Sequence, residues 1–442
     1  MSRKKIILLG LFLAPVFLQA ATEKLFPVRV VEVEPIFKES LREFNGRLIR
    51  QRKQGGNPRK RGKLLLFDGS MDGNRQVDPQ IAVGGGMVLH ATNAGIVIYD
   101  KKGNYIDGVS MRAFNKGIDP KLLYCIEKKT FLFDIWNPWD KEKKKPVNLS
   151  ISKTQDPSKG WNIYPISIPE GRDGGGLGCS SKWIGYTFPG GKENTFVLDF
   201  DAAKKGKKVK VYFFKGHWGQ PALTHGRGEE VYFVKINPRE VVVSAIKTKK
   251  DGTPFLEILS KKKNTLKWRY GSRPVPQKGT DVRVAAGARN PKNLIFQGGD
   301  LWFSHIVKKD GRSAVSWHQL GLDGTFKQSG IISSPDSNYI QVTLAVNKRR
   351  DVLIGFQECG ENLFVSPRFA FRLYNDPKGT VRDVIALGEG KGATTGTTWG
   401  DYSGTVIDGD NFLDLWTIQS IANEKGRGET VIVRVPFLGV KK

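Results

Sequence analysis

The stretch Asp78-Pro79-Gln80-Ile81-Ala82-Val83, Gly84-Gly85-Gly86, Met87-Val88-Leu89-His90-Ala91-Thr92, Gly95-Ile96-Val97-Ile98-Tyr99 and Lys102-Gly103-Asn104 decides the fold. Short apolar runs are separated by glycine- and asparagine-bearing turns, so the segment reads as a meander of strands joined by hairpins. Similar openings recur at Asp119-Pro120-Lys121-Leu122-Leu123-Tyr124, Leu177-Gly178-Cys179, Pro221-Ala222-Leu223-Thr224, Asn293-Leu294-Ile295-Phe296, Gln341-Val342-Thr343-Leu344-Ala345-Val346 and Trp399-Gly400-Asp401-Tyr402-Ser403. Their spacing of about 40 to 70 residues is that of a repeat whose units cannot bury their faces alone and must stack. The expected architecture is all-β: a β-propeller of six or seven four-stranded blades over 75–442. Two tandem β-sandwiches joined near Gly271 to Gly279 are the competing reading.

Composition agrees with a folded β-rich body. The chain has 442 residues, 39% of them hydrophobic, and 51 glycines, an excess that supplies tight turns and disfavours a helical bundle. Residues 1–20 carry Arg3, Lys4 and Lys5, an apolar run from Ile6 to Leu18 with Pro15 inside it, and then Gln19-Ala20 ahead of Ala21, the layout of a secretory signal. The run is short for a membrane span, although an uncleaved anchor is the alternative, and a secreted or periplasmic location is expected. No second segment is comparably apolar, so no transmembrane segment is expected once the signal is removed.

Lys and Arg total 71 against 43 Asp and Glu, a formal charge of +28, and loss of the three basic residues of the signal leaves +25. A charge of this sign concentrates anionic partners without specifying a fold. No nucleic-acid module is recognisable, so the expected partner of this monomer is an anionic polysaccharide or a cell-surface component. Lys143-Lys144-Lys145, Lys261-Lys262-Lys263 and Lys348-Arg349-Arg350 read as separate loop tips. Residues 47–63, basic throughout and interrupted by Gly55-Gly56-Asn57-Pro58, read as a flexible arm within an N-terminal segment, 21–74. That segment also holds two candidate ring-closing strands, Val28 to Val33 and Lys63 to Phe67, one of which is expected to pair with the blade containing Trp399 to Val435. Cys125, Cys179 and Cys359 have no metal-ligand spacing, and one disulfide among them is left open.

The succession Asp78 to Gly84, Ile98-Tyr99-Asp100-Lys101-Lys102-Gly103, Asp156-Pro157-Ser158-Lys159-Gly160-Trp161 and Trp399-Gly400-Asp401-Tyr402-Ser403-Gly404 resembles exported bacterial β-propeller proteins of sialidase-like, Asp-box shape over residues 75–425. That group has no assigned reaction, so the resemblance implies fold and export more than chemistry. Thr154 to Trp161 resembles a degenerate Asp-box, a hairpin stabiliser without catalytic duty, its glycine and tryptophan displaced from the family spacing. A sialidase-like site would need an arginine cluster on the substrate carboxylate, with a tyrosine nucleophile, a glutamate partner and an aspartate acid/base. Arg283, Arg289, Arg368 and Arg372 are the candidate anion ligands, with Trp399 beside them, and Tyr402, Glu358 and Asp401 the candidate catalytic groups. The family's Arg-Ile-Pro opening is missing. A binding or scaffold protein acting through channel-mouth loops is therefore the first expectation, and a sialidase-like or other polysaccharide-active enzyme the alternative.

Other chemistries find less support. Asp408, Asp410 and Asp414 beside Asn411 could offer oxygen ligands to calcium but lack the EF-hand order, and no cofactor is otherwise expected. The five histidines include no i, i+4 pair. Gly174-Gly175-Gly176 lacks the Lys-Ser/Thr of a phosphate loop, and no G-x-S-x-G elbow occurs.

Overall fold

The computed structural model describes residues 23–38, 56–69 and 77–437, apart from 173, 217, 288–289 and 397. Seven antiparallel meanders follow one another among them. The first is Gln80–Gly84, Met87–Thr92, Gly95–Asp100 and Tyr105–Ser110. The second is Ile118–Cys125, Thr130–Trp136, Val147–Ser152 and Trp161–Ile166. Gly176–Cys179, Trp183–Thr187, Thr195–Asp199 and Val209–Phe214 make the third. The fourth opens with the short pieces Gln220–Pro221 and Leu223–Thr224 and continues through Val231–Ile236, Glu240–Thr248 and Pro254–Lys263. Leu294–Gln297, Asp300–Lys309, Arg312–Gly321 and Phe326–Ile332 form the fifth, and Asn338–Val346, Val352–Gly360, Leu363–Arg372 and Ile385–Ala386 the sixth. Gly404–Ile407, Leu415–Ala422 and Gly428–Val435 begin the seventh.

The first strands touch in cyclic order, from the first meander through to the seventh and back to Gln80–Gly84. Such a cycle places every first strand around one axis with the later strands radiating outward, the arrangement of a β-propeller. Each meander is covered on both faces by its neighbours. This is why Asn338–Val346 is buried at every position and reads as one apolar run instead of alternating.

Residues near the N-terminus complete the sheets. Leu64–Asp68 lies antiparallel on Gly428–Val435, with Phe67 opposite Ile432, and supplies the fourth strand of the last meander. Phe67 is fully buried against Tyr99 of the first meander, 5.2 Å between ring centroids, and Trp416 of the seventh, 6.3 Å. Part of the basic arm is ordered: Gly56–Arg61 is a fifth strand paired with Leu64–Asp68, which corrects the reading of 47–63 as a loop throughout, while 47–55 lies outside the described residues. Val28 to Val33 joins a different blade from the one expected to close the ring. Arg29–Val33 pairs with the outermost strand of the third meander, Lys24–Leu25 with that of the fourth and Ile36–Lys38 with that of the second. The segment thus runs along the rim and covers three edges that would otherwise offer unpaired backbone groups.

The Asp-box-like turn is a local device. Asp156 accepts from the Ser158 amide at 2.9 Å, and the Trp161 indole donates to the Pro157 carbonyl at 2.8 Å. Trp161 is fully buried and edge-on to Phe114, which precedes the second meander. A three-stranded excursion, Val275–Gln277, Thr280–Ala286 and Thr398–Gly400, accounts for Gly271 to Gly279, which is therefore no linker between sandwiches. No helix of the described residues is long and apolar enough to cross a membrane.

Candidate functional site

The starts of the inner strands carry unusual backbone. Asp78, Asp119 and Gln341 have φ of 43°, 58° and 52°, a region that non-glycine residues enter at a cost of roughly 1–2 kcal/mol each. Asp119 and Gln341 also sit at register shifts in their strands. The Asp78 carboxylate accepts from the Asp401 amide at 2.6 Å and from Asn93 at 2.9 Å, while Asn93 accepts from the Asp119 amide at 2.8 Å. One polar network therefore ties the openings of the first, second and seventh meanders. Its residue types, aspartate before proline, were visible in the sequence.

Deeper in the same region lies a buried charge cluster that sequence reading missed. Lys121 is 4% exposed and its ammonium stands 3.4 Å from the centroid of the Tyr402 ring. Burial lowers its pKa, with Asp134, Asp119 and Asp78 pulling the other way. Burial raises Asp134 to about 7 against the opposing pull of Lys121 and the Tyr186 hydroxyl, and raises Asp78 to about 6. The signal was charge inside two otherwise apolar strands, Lys121 with Asp119 in Ile118–Cys125 and Asp134 in Phe131-Leu132-Phe133-Asp134-Ile135.

The residues singled out from the sequence do not form one pocket. Tyr402, 1% exposed, is covered by Lys121, and a nucleophile in that position meets no substrate. Asp401 faces Arg273 at 3.3 Å. Glu358 and Arg368 do meet, but as a partly buried pair at 2.6 Å; Glu358 also accepts from Ser337, and Arg368 spends its other donors on Glu389 and the carbonyls of Pro367 and Gly388. Arg372 is buried beside Trp317 and donates to the Asp376 carbonyl. Arg283 is exposed on the three-stranded excursion, and Arg289 lies outside the described residues. Trp399 is a fully buried anchor whose indole donates to Gln357 at 3.1 Å; Gln357 continues to Gln419, Thr417, Thr405 and Thr343 across the sixth and seventh meanders.

The proposed calcium ligands are occupied by protein groups. Asp408 and Asp410 share Lys101, Asp410 also accepts from the amides of Gly85 and Gly86, and Asp414 holds Arg434. Among the described residues no three His, Cys, Asp or Glu side chains converge as a metal site would require.

Space decides where a ligand could sit. Along the axis the inner strands leave about 30 Å³, between Leu122, Leu177, Leu223, Leu294 and Val406 among others, room for a water and little more. At one mouth, between the third, fourth and fifth meanders, a cleft of about 420 Å³ opens, within the range of small-molecule sites. Lys235 and Lys292 supply its charge, Gln220, Asn237 and Asn290 its amides, and Tyr270, 40% exposed, its aromatic face; among the described residues no carboxylate lines it. Lys235 is additionally 3.7 Å from Glu240. Lys292 joins the cleft to the buried cluster, its ammonium 5.9 Å from the Tyr402 centroid.

No family model matches the chain and no curated protein matches it. Among solved structures it is similar to a protein of unknown function from Dyadobacter fermentans, at 12% identity over 83% of this chain and 96% of that one, with a TM-score of 0.41. It is similar to the β-propeller domain of the Trilobed protease from Pyrococcus furiosus at 11% identity, 88% and 96% coverage and TM-score 0.38. A subtype N10 neuraminidase-like protein of A/little yellow-shouldered bat/Guatemala gives 8% identity, 66% and 94% coverage and TM-score 0.37. These are distant likenesses of shape.

Proposed function

We propose that the chain is an exported, seven-bladed propeller, each meander counting as one blade, that binds an anionic glycan at the channel-mouth cleft and does not hydrolyse it. The carrying observation is the cleft: two lysines, three amides and an exposed tyrosine ring line it, with no carboxylate among the described residues. Cations recognise sulfate or uronate groups, amides serve hydroxyls, and an aromatic face covers the apolar face of a sugar ring. Hydrolysis would need a reachable acid and nucleophile, whereas Tyr402 is buried and Glu358 is engaged with Arg368. The test is calorimetric titration with a sulfated disaccharide. Binding should weaken as salt rises, and Lys235→Ala/Lys292→Ala should reduce affinity about tenfold or more, the scale of two charge-assisted contacts. A wild-type protein that does not bind at low salt, or one that cleaves the sugar, would overturn the reading.

A further inference from the structure

A second basic cleft abuts the first. It measures about 740 Å³ and carries Lys263, Lys267, Arg269 and Lys308, again with no carboxylate in its lining among the described residues and with Trp268 in its wall. All four cations are exposed, and none makes a salt bridge among the described residues. The charge run Lys261-Lys262-Lys263 ends at this cleft. Lys263 lies opposite Glu240 in the fourth meander, and Lys308 lies beside Arg269, whose carbonyl accepts its amide at 2.8 Å.

The two clefts are separated by a single thin ridge. Asn237 lines the first and its chain neighbour Pro238 the second; Tyr270 lines the first and its neighbour Arg269 the second. One residue of extended chain advances only about 3.3 Å, so both boundaries are crossed within a residue. The ridge is held in place: Asn264 donates to the Asn237 carbonyl at 2.8 Å and receives the Leu266 amide, and the Asn264 amide donates to the Arg239 carbonyl. Trp268 and Tyr270 stand perpendicular, 5.1 Å between centroids, an aromatic pair spanning the ridge.

We infer that the two clefts form one continuous groove for a linear polyanionic glycan, with a first anionic unit between Lys235 and Lys292 and later units among Lys263, Lys267, Arg269 and Lys308. The inference rests on the proposed reading of the first cleft and extends it from a sugar to a polymer. A chain held at one cleft presents its next units to the other at high effective concentration, so affinity should rise with length.

The experiment titrates the full chain with a heparin-derived octasaccharide, comparing wild type, Lys267→Ala/Lys308→Ala, the charge-preserving Lys267→Arg/Lys308→Arg and the first-cleft variant Lys235→Ala/Lys292→Ala. The groove predicts one octasaccharide per chain, a loss of about tenfold in the second-cleft alanine variant with a shallower salt dependence, and recovery in the arginine variant. If wild type binds no octasaccharide, the first-cleft reading falls and this one with it. If the first-cleft variant loses binding while Lys267→Ala/Lys308→Ala keeps wild-type affinity, only the groove is overturned. Two octasaccharides bound independently would also overturn it, as would a second-cleft variant that loses binding to phosphatidylserine vesicles but not to the octasaccharide.

Discussion

Lys121 and Asp134 illustrate what one residue does in this interior. Each is a charge in an apolar strand, and each is tolerable because the other is near. Replacing Lys121 by Met leaves Asp134, Asp119 and Asp78 without their common cation, and we expect a loss of about 3–5 kcal/mol in chemical denaturation at about pH 8, above the raised value of Asp134. An unchanged urea midpoint would contradict that role. The pH dependence follows from the raised carboxyls. Asp134, at about 7 in the folded protein against 3.8 when exposed, holds a proton that the unfolded chain releases. The stabilisation is complete below about pH 4 and is lost as pH rises through about 7; Asp78 acts in the same direction up to about 6. Burial holds His90, His225, His305 and His318 below their ordinary value, which gives the opposite slope over part of this range, so the Asp134 contribution is read as a difference: between about pH 4.5 and 7.5 wild type should lose stability with rising pH relative to Asp134→Asn. A wild-type-minus-variant difference that stays constant or rises with pH would refute the assignment.

At the scale of the strand, closure depends on Leu64–Asp68. Its Phe67 fills the seam between the last and first meanders, and Phe67→Ala should cost about 3–5 kcal/mol through the cavity it leaves. Melting curves for this variant should shift well below wild type; a shift within error would mean that the seam is held by other contacts. Gly355 tests the polar chain between the sixth and seventh meanders. A Cβ there would come within 2.2 Å of the Thr417 hydroxyl and 2.3 Å of the Gln419 amide, so Gly355→Ala must displace that chain and should lower stability by about 1–3 kcal/mol. Soluble, fully stable Gly355→Ala protein would show that the network yields freely.

For the molecule as a whole, charge and site separate. Net charge alone would retain the protein on any anionic resin, whereas the paired clefts predict a preference for a glycan chain. Glu358→Ala provides the control. It removes one of the two carboxylates that hold Arg368 and should destabilise the fold by about 1.5–3 kcal/mol, yet at a temperature where the variant remains folded its glycan affinity should match wild type. Loss of affinity in folded Glu358→Ala would place the site in the sixth meander instead.

The sequence by itself determined the local structure: apolar runs and glycine turns specify meanders, and six of the seven openings fall on the strands nearest the axis, the seventh, Trp399 to Ser403, lying just before Gly404–Ile407. Asp156 and Trp161 act within their own hairpin, so short-range reading was enough there. Trp399 and Tyr402 were legible as distinctive residues but not as buried ones, because burial depends on which meander comes to lie opposite. The same limit hid Tyr270, Lys235 and Lys292. They lie on a strand of the fourth meander and at the two ends of its long connection to the fifth, and they converge only through the folding back of that connection, a contact that no periodicity encodes. Only the tertiary structure decided which of 71 basic residues faces a cleft, because side chains of identical composition differ there solely in what the folded ring places beside them.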